Sequence, residues 1–262
     1  MRKDAPLWVH WVRHAKVASH QGNLPLTAEG RRQVEDGGRQ FSRKLLPGEV
    51  VALLHAPTRR ARETALILYS SMVETLDYVE QPEVYLSPPV EHEAIRNPDI
   101  YVAGVRIELV STAEAVVEQL PPSSLNPEQV AQLPFLHGFW ADPDRIGYWV
   151  SHPNPPGEDA DTVARRLLTF AVSLLDLPRA QPRRYICVTH SPTMRAFLRH
   201  YLLGHDPGEP GYLESVDLEF EDDGSCTIQY RGYIKNWCCS TIQPLSSSKQ
   251  SVKRSRVPTD LT

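Results

Sequence analysis

Three short apolar runs limit what this chain can fold into: residues 7–12 (LWVHWV), 50–54 (VVALL) and 185–189 (YICVT). Each is too short for a helix, is bounded by polar or turn-forming residues, and is rich in branched or aromatic side chains. Each therefore reads as a buried strand. Helical patterns alternate with them. One opens at Thr27 and ends before Pro47, and a second follows Pro57 with Ala61, Ala65, Leu66 and Leu68. A third begins near Glu158 and sets Val163, Leu167, Phe170, Ala171, Leu174 and Leu175 at helical spacing; a fourth follows Pro192. Such alternation predicts an α/β class, a three-layer sandwich whose mostly parallel mixed sheet carries helices on both faces. Residues 216–220 and 226–230 alternate either side of Asp223-Gly224, which predicts a hairpin extending one sheet edge.

The stretch 88–157 breaks this rhythm. It is rich in proline and aromatic residues, with Phe135, Phe139, Trp140, Tyr148 and Trp149 close together. Ser111-Thr112-Ala113-Glu114 reads as a capping box opening a helix, and Asn126-Pro127-Glu128 as the start of another. The prediction is a helical insertion lying over one end of the sheet, within a single domain spanning 1–240. Residues 241–262 are polar and basic with almost no core-forming side chains, and are expected to be disordered.

Hydrophobic residues make up 41% of the 262, enough to bury a full core. A net charge of -4 gives no global pull toward nucleic acid or membrane, so any anion site must be built locally. No apolar run reaches the roughly 18 residues of a membrane span. The N-terminal apolar stretch is interrupted by His10 and runs into Arg13-His14, which argues against a signal peptide. Four cysteines, two of them the adjacent Cys238 and Cys239, make no disulfide framework, and a reducing cytoplasm is the simplest reading. Glu91-His92-Glu93 is the nearest approach to a metal set, but adjacent residues on a helix or strand cannot all face one ion. Neither a metal nor a cofactor is expected, and no nucleic-acid or membrane partner. Nothing in the sequence bears on oligomeric state.

The chemistry lies at the strand ends. The first run leads into Arg13-His14, the second into His55-Ala56-Pro57-Thr58-Arg59-Arg60, and the third into His190-Ser191-Pro192-Thr193. In an open parallel sheet the carboxyl ends of the strands share one edge, and the ligand crevice lies there. If the three strands are parallel neighbours, Arg13, His14, Arg60 and His190 converge on that edge, beside two helix N-termini that offer N–H groups to an anion. Two guanidiniums can clamp phosphate oxygens with charge-assisted hydrogen bonds. The same cations keep a nearby imidazole neutral and hence nucleophilic. Taken singly, each of these residues has an ordinary reading as a surface charge or a satisfied strand-end histidine. Their joint occurrence at three corresponding strand ends favours a small phosphorylated substrate.

At these residues the sequence resembles the histidine phosphatase superfamily, which includes the cofactor-dependent phosphoglycerate mutases. Trp11-Val12-Arg13-His14-Ala15 is similar to the family's strand–R-H-G opening, and Leu24-Pro25-Leu26-Thr27-Ala28-Glu29-Gly30-Arg31-Arg32-Gln33 to its L-P-L-T-x-x-G-x-x-Q. The segment 56–65 (APTRRARETA) resembles S-P-x-x-R-x-x-x-T-A, with Arg60 as the equivalent arginine. Pro156-Gly157-Glu158 with Arg165 or Arg166 resembles P-G-E…R, and His190 falls on the second family histidine. The resemblance covers about residues 8–200. It implies that His14 is phosphorylated and that Arg13, Arg60 and His190 form the phosphate pocket, with Ser191 and Thr27 in the substrate-binding set.

The sequence departs from the family pattern at Ala15, which replaces a glycine, and at Ser191-Pro192, which replaces a glycine pair. A third departure concerns the carboxylic acid that protonates the leaving oxygen. The position after the second histidine, aspartate in one branch, is Ser191. The other branch uses a glutamate beyond the helix arginine. Glu93 is the preferred candidate, then Glu91, with Glu83 also possible. The resulting expectation is metal-independent phosphomonoester hydrolysis. A phosphoglycerate-type phosphomutase on the same scaffold, or a phosphate-binding module without turnover, are the alternatives.

Overall fold

The structure, a computed structural model, describes residues 5–19, 23–78, 83–109, 112–178, 180–221 and 225–238. The expected Asp223-Gly224 turn, Ser111 of the expected capping box, Cys239 and the polar tail 241–262 lie outside these residues. In chain order the elements begin β1 (Leu7–Arg13), α1 (Ala28–Ser42), β2 (Val50–His55), α2 (Arg59–Tyr78) and β3 (Tyr85–Glu91). A short hairpin, β4 (Ile100–Val102) and β5 (Val105–Ile107), precedes α3 (Ala113–Val117), α4 (Pro127–Ala131), α5 (Pro134–Ala141) and α6 (Arg145–Ser151). Then come α7 (Ala160–Ser173), β6 (Arg183–Thr189), α8 (Ser191–Phe197), β7 (Ser215–Phe220), β8 (Ser225–Tyr230) and β9 (Tyr233–Cys238).

The three apolar runs are β1, β2 and β6, and they are neighbours. The main sheet runs β3-β2-β6-β1-β7-β8-β9, with β1 and β2 each parallel to β6 and β3 parallel to β2. Strands β7, β8 and β9 add antiparallel, which makes the sheet mixed. Strand β1 is apolar almost throughout because both its faces are covered. Successive strand residues point to opposite faces. Accordingly, His10 meets Phe41 at the end of α1 (5.5 Å), whereas Trp11 meets Phe170 of α7 (5.9 Å) and Phe197 of α8 (6.2 Å). Helices thus cover both faces, giving a three-layer α/β sandwich.

Strands β3 and β9 were not anticipated. Strand β3 contains Pro88 and Pro89, which have no N–H to give a ladder. It tolerates them because it is an edge strand whose register shifts opposite Ala52–Leu54. The sheet therefore extends through residues 88–91, the start of the stretch read from sequence as a helical insertion. Strand β9 follows a two-residue turn at Arg231 (φ 46) and Gly232 (φ 81), both left-handed, as a tight hairpin requires.

Beyond β3, the hairpin β4–β5 and helices α3–α6 enclose a second buried cluster that includes Ile100, Val116, Phe135, Phe139 and Trp149, closed by Val163 of α7 and Ala196 of α8. Much of the aromatic content of this stretch is core. Helix α3 is capped by Thr112, whose side chain accepts from Ala115 N, and α4 by an Asn126–Gln129 capping box with Pro127 behind it. Among the described residues, no helix is long and apolar enough to cross a membrane.

Candidate active site

Because β1, β2 and β6 are parallel neighbours, their carboxyl ends meet at one edge of the sheet. His14 is pinned there by its own N–H, which donates to Thr189 O of β6 (3.0 Å). His190 follows β6 directly. The two imidazoles stand 5.2 Å apart between ring centroids at an interplanar angle of 63°, both buried. A pocket of about 270 Å3 opens onto them, and Arg13, His14, Arg60, His190 and Ser191 all line it. Five residues predicted from sequence thus come together.

The neighbouring hydrogen bonds set the state of His14. Its Nδ1 lies 2.8 Å from the Ala15 carbonyl oxygen. A carbonyl can only accept, so Nδ1 carries a proton, and in the neutral ring the lone pair is on Nε2. Ala15 is itself fixed, its N–H donating to Thr64 Oγ1 of α2 (3.1 Å), and its methyl group is fully buried. Thr58 Oγ1, just before α2, lies 3.3 Å from His190 Nε2. Helix α2 and the turn before it therefore hold both histidine segments as well as supplying Arg60.

The two arginines differ in their partners. Arg13 pairs with Glu209 and donates to the Pro210 carbonyl, and its guanidinium lies over the Tyr212 ring, 4.3 Å from the centroid. Arg60 is largely buried, and among the described residues its Nε has no hydrogen-bond partner. Burial pushes its pKa below the ordinary arginine value; Glu108 opposes this shift and the charge of Arg13 adds to it.

Four sequence candidates lie elsewhere. Thr27 is the N-cap of α1: its Oγ1 accepts from Gly30 N (3.0 Å) and faces Lys16 O (3.3 Å), so it braces the segment after His14 and does not line the pocket. Glu93 is exposed and lies 3.8 Å from both Arg96 and Arg106. Glu91 borders a separate surface groove with Asn23, Arg59 and Arg62. Glu83 precedes β3, at the opposite end of the sheet. None of the three glutamates lines the pocket. The reason is the edge position of β3: after it, His92 turns inward against Phe170 (ring centroids 4.6 Å apart), leaving Glu91 and Glu93 outside.

The carboxylate that does line the pocket is Glu209, in the loop before β7. Sequence reasoning passed over it. The one available signal was an acid flanked by turn formers, Glu209 in Asp206-Pro207-Gly208-Glu209-Pro210-Gly211, ahead of an antiparallel strand. Also missed was Arg195 of α8, 1% exposed, which pairs with Asp144 and Asp206 (2.5 Å each) and reaches Glu209 at 3.5 Å. Burial works against its charge, but hydrogen bonds to Asp144 and Asp206 more than offset this and raise its pKa. Arg195 ties the Glu209 loop to Asp144, the N-cap of α6, one residue before the pocket residue Arg145.

The outer wall is apolar, formed by Pro98, Leu109, Phe139 and Ile146. Its Asn97-Pro98 portion is held by the Pro-Gly-Glu segment. Glu158 accepts two hydrogen bonds from Arg166 (3.0 Å each) and one from Asp99 N (2.9 Å), while Arg166 also donates to Ala94 O (2.8 Å). Of the two arginines left open by the sequence, Arg166 makes this clamp. Arg165 is bonded locally to Thr162 (3.3 Å).

No family model matches the chain, and no curated protein matches it by sequence. Among solved structures, it is similar to phosphoglycerate mutase from Bacillus anthracis str. Sterne, with a TM-score of 0.51, 14% identity, and coverage of 88% of this chain and 94% of that one. Fainter likenesses are to a mycobacterial glucosyl-3-phosphoglycerate phosphatase (TM-score 0.45, 16% identity, 89% and 98% coverage) and to phosphoserine phosphatase from Entamoeba histolytica (TM-score 0.43, 12% identity, 88% and 94% coverage). The chain shares the fold of the phosphoglycerate mutase, the fold that its resemblance to the histidine phosphatase superfamily implied.

Proposed function

We propose that this chain hydrolyses phosphomonoesters through a phosphohistidine formed on His14. The observation that carries this reading is Arg60: a largely buried guanidinium whose Nε lacks an acceptor among the described residues, in the same pocket as two buried imidazoles. A largely buried cation with an unsatisfied donor is costly, and a phosphoryl group is the ligand that relieves it. Arg13 and Arg60 hold the phosphoryl oxygens, and Nε2 of His14 attacks phosphorus in line with the leaving oxygen. His190, on the other side of the group, donates to an equatorial oxygen as charge develops there. Water then attacks the phosphohistidine and returns His14 to its resting state.

Hydrolysis is favoured over mutase chemistry by the scarcity of further cations. A phosphoglycerate needs additional charge for its carboxylate. Arg96 and Arg106 are both engaged with Asp99, which leaves Arg145 as the insertion's arginine in the pocket lining. The apolar wall suits a compact alcohol with little charge of its own, and about 270 Å3 is just below the roughly 300–1,000 Å3 of drug-sized ligand pockets. The test is phosphate release from p-nitrophenyl phosphate and a panel of small phosphomonoesters, run beside phosphoglycerate interconversion. Phosphate release is expected. Interconversion without net release would instead identify a mutase, and vanadate binding without turnover on any ester a phosphate-binding module.

A further inference from the structure

We propose that Glu209 is the catalytic acid that protonates the leaving oxygen, and the base that then activates water; this rests on the phosphohistidine reading above. Chemistry at His14 requires such a group, because an alkoxide is a poor leaving group until it is protonated. The carboxylates suggested by sequence lie outside the pocket, and Glu209 is the carboxylate among its lining residues. Its Oε1 meets Arg13, one of the two arginines of the phosphate clamp. Its Oε2 accepts from Ser191 Oγ at 2.5 Å, directly beside His190. The side chain is about half exposed (49%), so it can exchange a proton with bulk water between turnovers.

The loop is built to hold this side chain in place. Gly208 takes φ +74, a left-handed value suited to glycine, and Pro210 stiffens the other side while its carbonyl accepts from Arg13. Asp206, three residues earlier, is anchored on the buried Arg195, which also reaches Glu209 Oε2 at 3.5 Å. Ser191 and Arg195 both face Oε2, so the transferable proton belongs on Oε1, the oxygen turned toward the phosphate clamp. Ser191 and Arg195 are positioning residues in this scheme.

Without substrate, Arg13 is the cation beside Oε1. An arriving phosphate dianion competes for the Arg13 donors and sets a negative charge next to the carboxylate. The proton that Oε1 delivers comes from solvent or from the monoanionic ester. As the bond from His14 Nε2 to phosphorus forms and the ester P–O bond breaks, the departing oxygen takes the Glu209 proton and leaves as an alcohol. The Glu209 carboxylate then accepts a proton from water as that water forms the new P–O bond and the N–P bond breaks. Inorganic phosphate and the protonated acid result, and the sum is one ester plus one water giving one alcohol plus one phosphate.

The experiment compares Glu209→Gln with wild type on two esters, an alkyl phosphomonoester and p-nitrophenyl phosphate, whose leaving group needs no proton. Glutamine keeps an oxygen for Ser191, and an unchanged melting temperature checks the fold. On the alkyl ester, kcat/KM should fall by about 10²- to 10⁴-fold, the size of a lost general acid. On the nitrophenyl ester, a burst of nitrophenolate should persist, followed by slow turnover as the phosphohistidine waits for an unassisted water. Equal losses of kcat/KM on both esters, no loss on the alkyl ester, or faster turnover with tighter vanadate binding would overturn the proposal, the last marking Glu209 as a mere occupant of the anion site. His14→Ala separates this from the underlying reading. Turnover persisting in His14→Ala sinks that reading, whereas a dead His14→Ala beside a fully active Glu209→Gln sinks only the role of Glu209.

Discussion

The imidazoles of His14 and His190 stand edge to face with 5.2 Å between ring centroids, at the ends of two strands that lie side by side in the sheet. One phosphoryl group can touch both rings. They need not contribute alike, since His14 supplies the attacking nitrogen and His190 a donor to developing charge. His14→Ala is expected to abolish turnover, while His190→Ala and Arg60→Ala each lower kcat/KM by about 10²- to 10³-fold. Steady-state kinetics on one phosphomonoester check this ranking. Wild-type rates in His14→Ala contradict the covalent route.

Arg60 carries the opposite signature in stability. Burial depresses its pKa, so the folded protein pays to keep it charged, and its Nε meets no acceptor among the described residues. Arg60→Met keeps most of the side-chain volume and removes the charge. The expected outcome is a melting temperature at or above wild type together with loss of activity, the pattern of a site that trades stability for function. Vanadate should raise the melting temperature of wild type and not of the variant. A variant less stable than wild type would show that Arg60 is a structural cation.

Much of this site was legible because its residues sit at strand ends, where position follows from topology alone. Once residues 7–12, 50–54 and 185–189 are read as parallel strands, Arg13, His14, Arg60 and His190 have little choice but to meet. Thr27 was legible as a helix start, but its hydroxyl is spent on Gly30 N and Lys16 O and does not reach the pocket. Glu209 was not legible. It reaches the pocket from a glycine- and proline-rich loop with no periodicity to read, and only the pairing of β7 with β1 brings that loop beside Arg13. Strand β3 was hidden by Pro88-Pro89, whose tolerance depends on an edge position that sequence alone does not reveal.

Gly30, in the same resemblance segment as Thr27, is a packing requirement. A Cβ at this position would press into the backbone carbonyl oxygen of Lys16, two residues beyond His14. Gly30→Ala must push α1 away or displace the His14 segment, at about 1–3 kcal/mol of overpacking. A lower melting temperature and a lower kcat are expected together. An alanine variant with wild-type stability and rate would show that the segment gives way freely.

Acid should loosen the residues around the pocket mouth. The Asp99 carboxyl is held below its usual range by its hydrogen bond to Arg96, and that of Asp144 by its hydrogen bond to Arg195. A depressed carboxyl pKa contributes stability that is full above the unfolded value and is lost as pH falls through the folded one, so the loss belongs below about pH 4. Melting temperatures across that range, with the fluorescence of buried Trp149 reporting on the insertion, should fall more steeply in wild type than in the double variant Asp99→Asn, Asp144→Asn. Parallel curves would contradict the assignment.

Arg195 is the hub of that mouth, buried and shared among Asp144, Asp206 and Glu209. Arg195→Met leaves two carboxylates without their cation. Both are partly exposed, so the expected cost is roughly 1.5–3 kcal/mol, that of losing charged hydrogen bonds near the surface. Because the Glu209 loop loses its anchor as well, activity should fall further than stability alone explains. Denaturant unfolding beside kinetics separates the two.

The phosphohistidine itself can be trapped. Wild type is mixed with a radiolabelled phosphomonoester, quenched in base within the first turnover, digested, and mapped by mass spectrometry. Acid-labile, base-stable phosphate on the peptide containing His14, absent from His14→Ala, is the predicted result. Substrate consumed at the normal rate with no label on that histidine, or with label on another residue, would contradict it.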